Sequence, residues 1–178
     1  MESQRNVGRD NKTELVGLKI KSHGSSHGRN SVVTRGPGAY LAAADCVIAG
    51  GAVVSDSAQA EFERCGFDCA VFDSFIVDSE GGEAGKGARL ALRGCDVKAR
   101  FGALVDQGCE LLMDRTSISG DHIVDPLLTV LGSCRMSRMR ISGAKKGVEV
   151  WLGGELTCTD IQSDCNVVVG GEGTILRA

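Results

Sequence analysis

The stretch Ala88–Val105, ARLALRGCDVKARFGALV, decides the fold. Side chains alternate along a strand, so Leu90 and Leu92 fall on one side while Arg89, Ala91 and Arg93 fall on the other. The alternation slips once after Leu92, then resumes with Cys95 and Val97 inward and Asp96 outward. An apolar residue, two spacers, a Cys, one spacer and another apolar residue does not make the i, i+3, i+4, i+7 stripe of a helix. It fits two short strands meeting at a corner, and Gly94 stands where the chain turns.

Outward from this stretch the same phrase recurs. Before it come Leu15-Leu18-Ile20, Ala43-Cys46-Ile48 and Phe62-Cys65-Phe67; after it come Met113-Thr116-Ile118, Met136-Met139-Ile141 and Leu156-Thr159-Ile161. The last members lie 28, 19, 30, 21, 23 and 20 residues apart, a period near twenty with two longer steps that carry Gly-rich inserts. The middle slot, Cys46, Cys65, Cys95, Thr116, Met139 and Thr159, reads as an inward core ladder of small or pliable side chains. A Val-rich segment such as GAVVSDS, GALVDQG or GVEVWLGG follows each phrase, then a Gly- or Ser-containing turn.

Units of this size, with two or three short strands and no helical pattern, cannot bury an apolar face alone and must stack. The sequence therefore predicts an all-β, right-handed parallel β-helix (a solenoid) of about seven coils over residues 14–178. The handedness follows by analogy with crossover connections between parallel strands. Residues 1–13 are polar and aperiodic and read as a leader.

Composition agrees. Aromatics make up only 4% of the chain while Gly supplies 25 of 178 residues, which favours tight turns over a helical bundle. No apolar run of about 18 residues is present, so no membrane span is expected. The net charge of −3 gives no electrostatic ground for nucleic acid as a partner. The eight cysteines would suggest disulfides in a secreted chain, but the opening MESQRNVGRDNK has no signal-peptide core, which points to free thiols and an intracellular, reducing compartment.

With the repeats in hand, AEFERCGFDCAVF and ARLALRGCDVKARFGALV resemble the right-handed parallel β-helix repeat superfamily, the pectate-lyase-like architecture. They are similar in particular to the Cys-containing coils of F-box and adenoviral β-helix proteins. The resemblance implies a fold and no single activity.

Lyase or hydrolase chemistry on such a fold needs converging carboxylates with a base or a calcium ion. The available acids are Asp68, Asp73 and Asp78, and Asp121 and Asp125 beside His122, and none falls into a catalytic signature. His23 and His27 lack a companion ligand at metal spacing, and GEGT at 171–174 and GGEAGKG at 81–87 lack the strand and helix of a phosphate loop. No catalytic residue, metal or cofactor is expected.

Two surface features suit a partner instead. CRMSRMRISGAKKG gathers Arg135, Arg138, Arg140, Lys145 and Lys146, and the alternation that buries Val148, Val150 and Leu152 turns Trp151, the single Trp, outward. A solenoid also exposes strand edges and core cross-section at its C-terminal end. The expectation is a non-catalytic scaffold or structural subunit that meets other protein subunits or a second copy of itself, including through that end. A polysaccharide lyase or hydrolase and a viral capsid or fibre component are the alternatives.

Overall fold

The computed structural model describes residues 12–21, 32–69, 76–77, 87–99, 103–120, 126–169 and 174–177. All regular structure in them is β. Each coil contributes up to three strands, as in Arg89–Arg93, Asp96–Ala99 and Ala103–Val105. The strands pair in parallel with their counterparts one period before and after, and the end strands on one side only, which makes the chain a parallel β-solenoid.

First and second strands form one sheet, because Ser133–Ser142 and Glu155–Ser163 run through the corner without a break and join the two ladders. The third strands form a separate sheet from Val32–Arg35 to Asn166–Val169. Val54, Val105, Val130 and Val150 line its inner side at 0% exposure. Opposite them lie the rows Leu90–Leu111–Cys134–Leu156 and Phe62–Leu92–Met113–Met136, all buried. Fully burying one large side chain stabilises by about 1.5–3 kcal/mol, so these rows supply the stacking energy that a lone coil lacks.

The corner is built by one left-handed residue per coil. Gly17, Asp45, Arg64, Gly94, Arg115, Arg138 and Asp160 have φ between 48° and 65° and occupy equivalent places. Their N–H groups carry the ladder through the bend: Arg64 donates to the Arg93 carbonyl at 2.9 Å, Gly94 to Asp114 at 2.8 Å and Arg115 to Ser137 at 3.0 Å. The second bend is a stack of four-residue turns, each closed from its last N–H to its first carbonyl, at Gly36–Ala39, Ser55–Ala58, Asp106–Cys109 and Trp151–Gly154.

One expected register is corrected. Leu156, Thr159 and Ile161 do not continue the ladders of Met136, Met139 and Ile141; Cys158, Ile161 and Ser163 do. Thr159 therefore lies opposite Ser137 on the outward row, and Ile161 takes the place next to Met139. Upstream, the turn Trp151–Gly154 packs the backbone of Gly154 against the Val130 carbonyl, where a Cβ would collide, and the strand that leaves it starts with Glu155 beside Ser133 and Leu156 beside Cys134. Leu152, expected inward, sits in that turn at φ 52° and is 64% exposed. Lys12 and Thr13, read as leader, belong to the first described strand, Lys12–Val16.

Candidate functional site

The inward slot after the corner holds donors rather than plain apolar groups. Carbonyls just before left-handed residues accept ladder N–H groups, as Ala44 does from Gly17 and Glu63 from Asp45, and a short side chain with one proton can reach the same oxygen. The Cys46 thiol donates to the Ala44 carbonyl at 3.2 Å, Cys65 to Glu63 at 3.4 Å, and Cys95 to Phe62 at 3.4 Å on the previous coil. Thr116 repeats the pattern with its hydroxyl, to Asp114 at 3.1 Å and Leu92 at 3.3 Å. All four residues are buried, as is Met139 in the next coil, which fills the slot with bulk alone. The hydrogen bond with Cys95, and then burial, push the Cys65 thiol above the ordinary thiol range, while the same hydrogen bond holds Cys95 below it.

Outside the corner, charge is spent on charge. Arg64 reaches back one coil to both oxygens of Asp45, at 2.7 and 2.9 Å, and also meets Glu63. Arg138 does the same to Asp114, at 2.6 and 2.7 Å, where Ser137 Oγ donates at 2.7 Å and Arg115 at 3.1 Å. These bonds hold the Asp114 carboxyl below the usual carboxylate range, Ser137 contributing most and Arg138 next.

The basic segment is thus divided by the fold. Arg138 is tied to Asp114, and Lys146 to Glu149 at 2.8 Å. Arg135, Arg140 and Lys145 are exposed and make no ion pair among the described residues. They do not form one patch: Arg135 stands on the outer face of the first strands beside Leu112 and Thr157, and Arg140 on that of the second strands between Ser117 and Gln162.

Trp151 is 39% exposed, and its indole N–H donates to Glu149 at 3.2 Å. Lys146 first, and Trp151 after it, hold the Glu149 carboxyl below its usual range. This bond fixes the orientation of the ring, and Leu152 beside it is exposed. A leucine with left-handed backbone is uncommon, and no sequence pattern marked it.

Of the acids weighed for catalysis, Asp68 is exposed on a second strand and faces Lys98 of the next coil. Asp73, Asp78, Asp121 and Asp125, with His122, His23 and His27, lie outside the described residues, as do residues 78–86 and 171–173 of the Gly-rich segments. Among the described residues no three His, Cys, Asp or Glu side chains converge as a metal site. No described helix is long and apolar enough to cross a membrane.

No protein-family model, curated protein or solved structure matches this chain.

Proposed function

We propose that this chain is a non-catalytic β-solenoid scaffold, a structural subunit that meets other proteins through its outer faces. The observation that carries the reading is the turn Trp151–Gly154. It presents a half-exposed, pre-oriented indole beside a 64% exposed leucine on a stacked-sheet body. Aromatic side chains of this kind anchor protein interfaces, because they bury a large area at little entropic cost. The ion pairs at the corner fit the same reading, since they tie successive coils together and leave the outward faces stiff. Membership of the right-handed, pectate-lyase-like β-helix superfamily is part of the proposal and rests on the Cys-containing corner phrases.

The test is gentle fractionation of the untagged protein from its own source, with mass spectrometry of what comigrates, for the wild type and for Trp151→Ala. Defined neighbours that are lost in the variant, at an unchanged melting temperature, support the scaffold. A chain that migrates without any other protein in both cases overturns it.

A further inference from the structure

Two thiols of the inward slot meet across a coil boundary. Glu63 pairs with Arg93 and Gly66 with Asp96, so Cys65 and Cys95 hold the same place on successive coils. Both are free thiols, and their side chains are hydrogen-bonded to each other. The strand spacing of about 4.8 Å lies inside the roughly 4.4–6.8 Å between Cα atoms that a disulfide spans. We propose that Cys65 and Cys95 are a redox pair, which a small peroxide converts into a disulfide that staples the two coils together.

The two sulfurs have different parts. Cys95 leans back towards the coil of Cys65 and donates to the Phe62 carbonyl there at 3.4 Å. The Cys65 thiol, with the Cys65 backbone behind it, holds the Cys95 thiol below its ordinary range against the opposing effect of burial, whereas Cys65 itself is pushed up. The same support recurs one coil on, where the N–H of Cys95 donates to Thr116 Oγ1 at 3.3 Å. Cys95 is therefore the attacking thiolate.

In the first step the Cys95 sulfur bonds to one peroxide oxygen, the O–O bond breaks, and the departing hydroxide takes up the proton that Cys95 lost, giving water and a sulfenic acid. Cys65 then attacks the Cys95 sulfur. The S–S bond forms, the S–O bond breaks, and the Cys65 proton leaves with the hydroxide as a second water. The two sulfurs lose two electrons, and the two peroxide oxygens gain them.

Cys46 and Cys65 also stand on successive coils, since Ala44 pairs with Glu63 and Val47 with Gly66. The cover outside the two pairs differs. Arg64 straps the corner over Cys46 and Cys65 by holding both oxygens of Asp45. Over Cys65 and Cys95 the chain has Gly66 and Gly94. A Cβ on Gly66 would meet nothing within 4 Å, and one on Gly94 would meet Arg64 Cγ at 3.8 Å. Both thiols are buried, but this corner is thin, and a peroxide is little larger than water. Closing the bond draws the two Cβ atoms together by about 0.5 Å from the ladder spacing, and the glycines leave the corner free to yield.

The experiment treats the reduced full chain with hydrogen peroxide, alkylates the remaining thiols, and maps disulfides by peptide mass spectrometry, with fragmentation to tell Cys65 from Cys69. The native chain should give the Cys65–Cys95 link as its main disulfide, and dithiothreitol should reverse it. Cys95 should react at least about tenfold faster than Cys134, whose thiol is pushed up by burial. In Cys65→Ser a dimedone probe should trap a sulfenic acid at Cys95, and in Cys95→Ser the Cys65 thiol should stay reduced. Should either serine variant fail to fold, the map of the wild-type chain decides alone. A native chain without the Cys65–Cys95 link, a link formed only in urea, or a Cys65 oxidised in Cys95→Ser as fast as Cys95 is in Cys65→Ser overturns the inference. The bond forms within one chain, so none of these results touches the scaffold reading.

Discussion

The thiol of Cys95 lies 3.4 Å from the carbonyl oxygen of Phe62, one coil earlier, and is its hydrogen-bond donor. That contact explains why a β-solenoid core, which has no need of polarity, keeps cysteine and threonine at one place in successive coils. Corner carbonyls such as those of Glu63 and Asp114 already accept a ladder N–H, from Asp45 at 3.0 Å and Gly94 at 2.8 Å, and the thiol or hydroxyl adds a second donor, a net contribution of about 0.5–1.5 kcal/mol each. Phe62 and Phe67, on the two strands that flank Cys65 in sequence, pack edge to face with ring centroids 5.1 Å apart.

Replacing Cys95 should grade accordingly. Cys95→Thr keeps a donor of similar size, as Thr116 does one coil later, and should cost under about 1.5 kcal/mol. Cys95→Val loses the donor and should cost about 1–2 kcal/mol. Cys95→Asp places an unpaired charge in the core and should abolish folding. Urea unfolding of the three variants checks the order, and equal tolerance of all three would remove the ladder.

Arg115 adopts φ 48° on an exposed corner, and its guanidinium reaches only the neighbouring Asp114, an exposed contact of little worth. Gly94 occupies the same place one coil earlier at φ 61°. Arg115→Gly should therefore relieve backbone strain and stabilise by about 0.5–1 kcal/mol, a rise of about 1–4 °C in melting temperature. Arg138→Gly should not stabilise, because it also removes the two-oxygen contact with Asp114. Calorimetry on both variants distinguishes them.

Glycines at two places should respond in opposite ways. A Cβ on Gly154 would run into the Val130 carbonyl, whereas nothing lies within 4 Å of one on Gly66. Gly154→Ala should destabilise by several kcal/mol, of order 2–4. Gly66→Ala should be neutral or stabilise by up to about 1 kcal/mol, because alanine loses less chain entropy on folding. Chemical denaturation of the pair is sufficient, and a Gly154→Ala variant as stable as the wild type would contradict the stacked-turn register.

Asp114 links stability to pH. Its carboxyl is held below the ordinary range by Ser137 and then Arg138, so the folded chain binds its proton less readily than the unfolded chain does. The contribution is present above the unfolded value, near 3.9, and is lost as pH falls towards the lower folded value. Solvent screening at this site keeps it small. Wild type should lose stability more steeply than Asp114→Asn below about pH 4.5, measured by melting temperature against pH, and parallel curves would remove Asp114 from the linkage.

The repeat, the corner and the inward rows were legible in residues such as Leu90, Leu92, Cys95 and Val97, because alternation and period are local properties of the chain. Leu156, Thr159 and Ile161 misled for the same reason. Two overlapping triplets in ELTCTDIQS satisfy one spacing, and spacing alone cannot choose between them. The structure pairs Cys158 with Met136 and Ile161 with Met139, and it packs the backbone of Gly154, just upstream, against the Val130 carbonyl, where no side chain fits.

The partner surfaces divided likewise. Their residue types were visible, since an isolated Trp and a run of arginines and lysines stand out in any sequence. Which charges are spent was not visible. Arg138 and Arg140 lie two residues apart, yet one is bound to Asp114, a coil earlier, and the other has no acidic partner among the described residues. By itself the sequence determined the period, the strand alternation and the inward ladders, because a coil of about twenty residues has one way to bury its apolar side. The tertiary structure alone decided the last register, the exposure of Leu152 and the pairing of the surface charges, because these depend on backbones and side chains about 4.8 Å away in space and a full coil away in sequence.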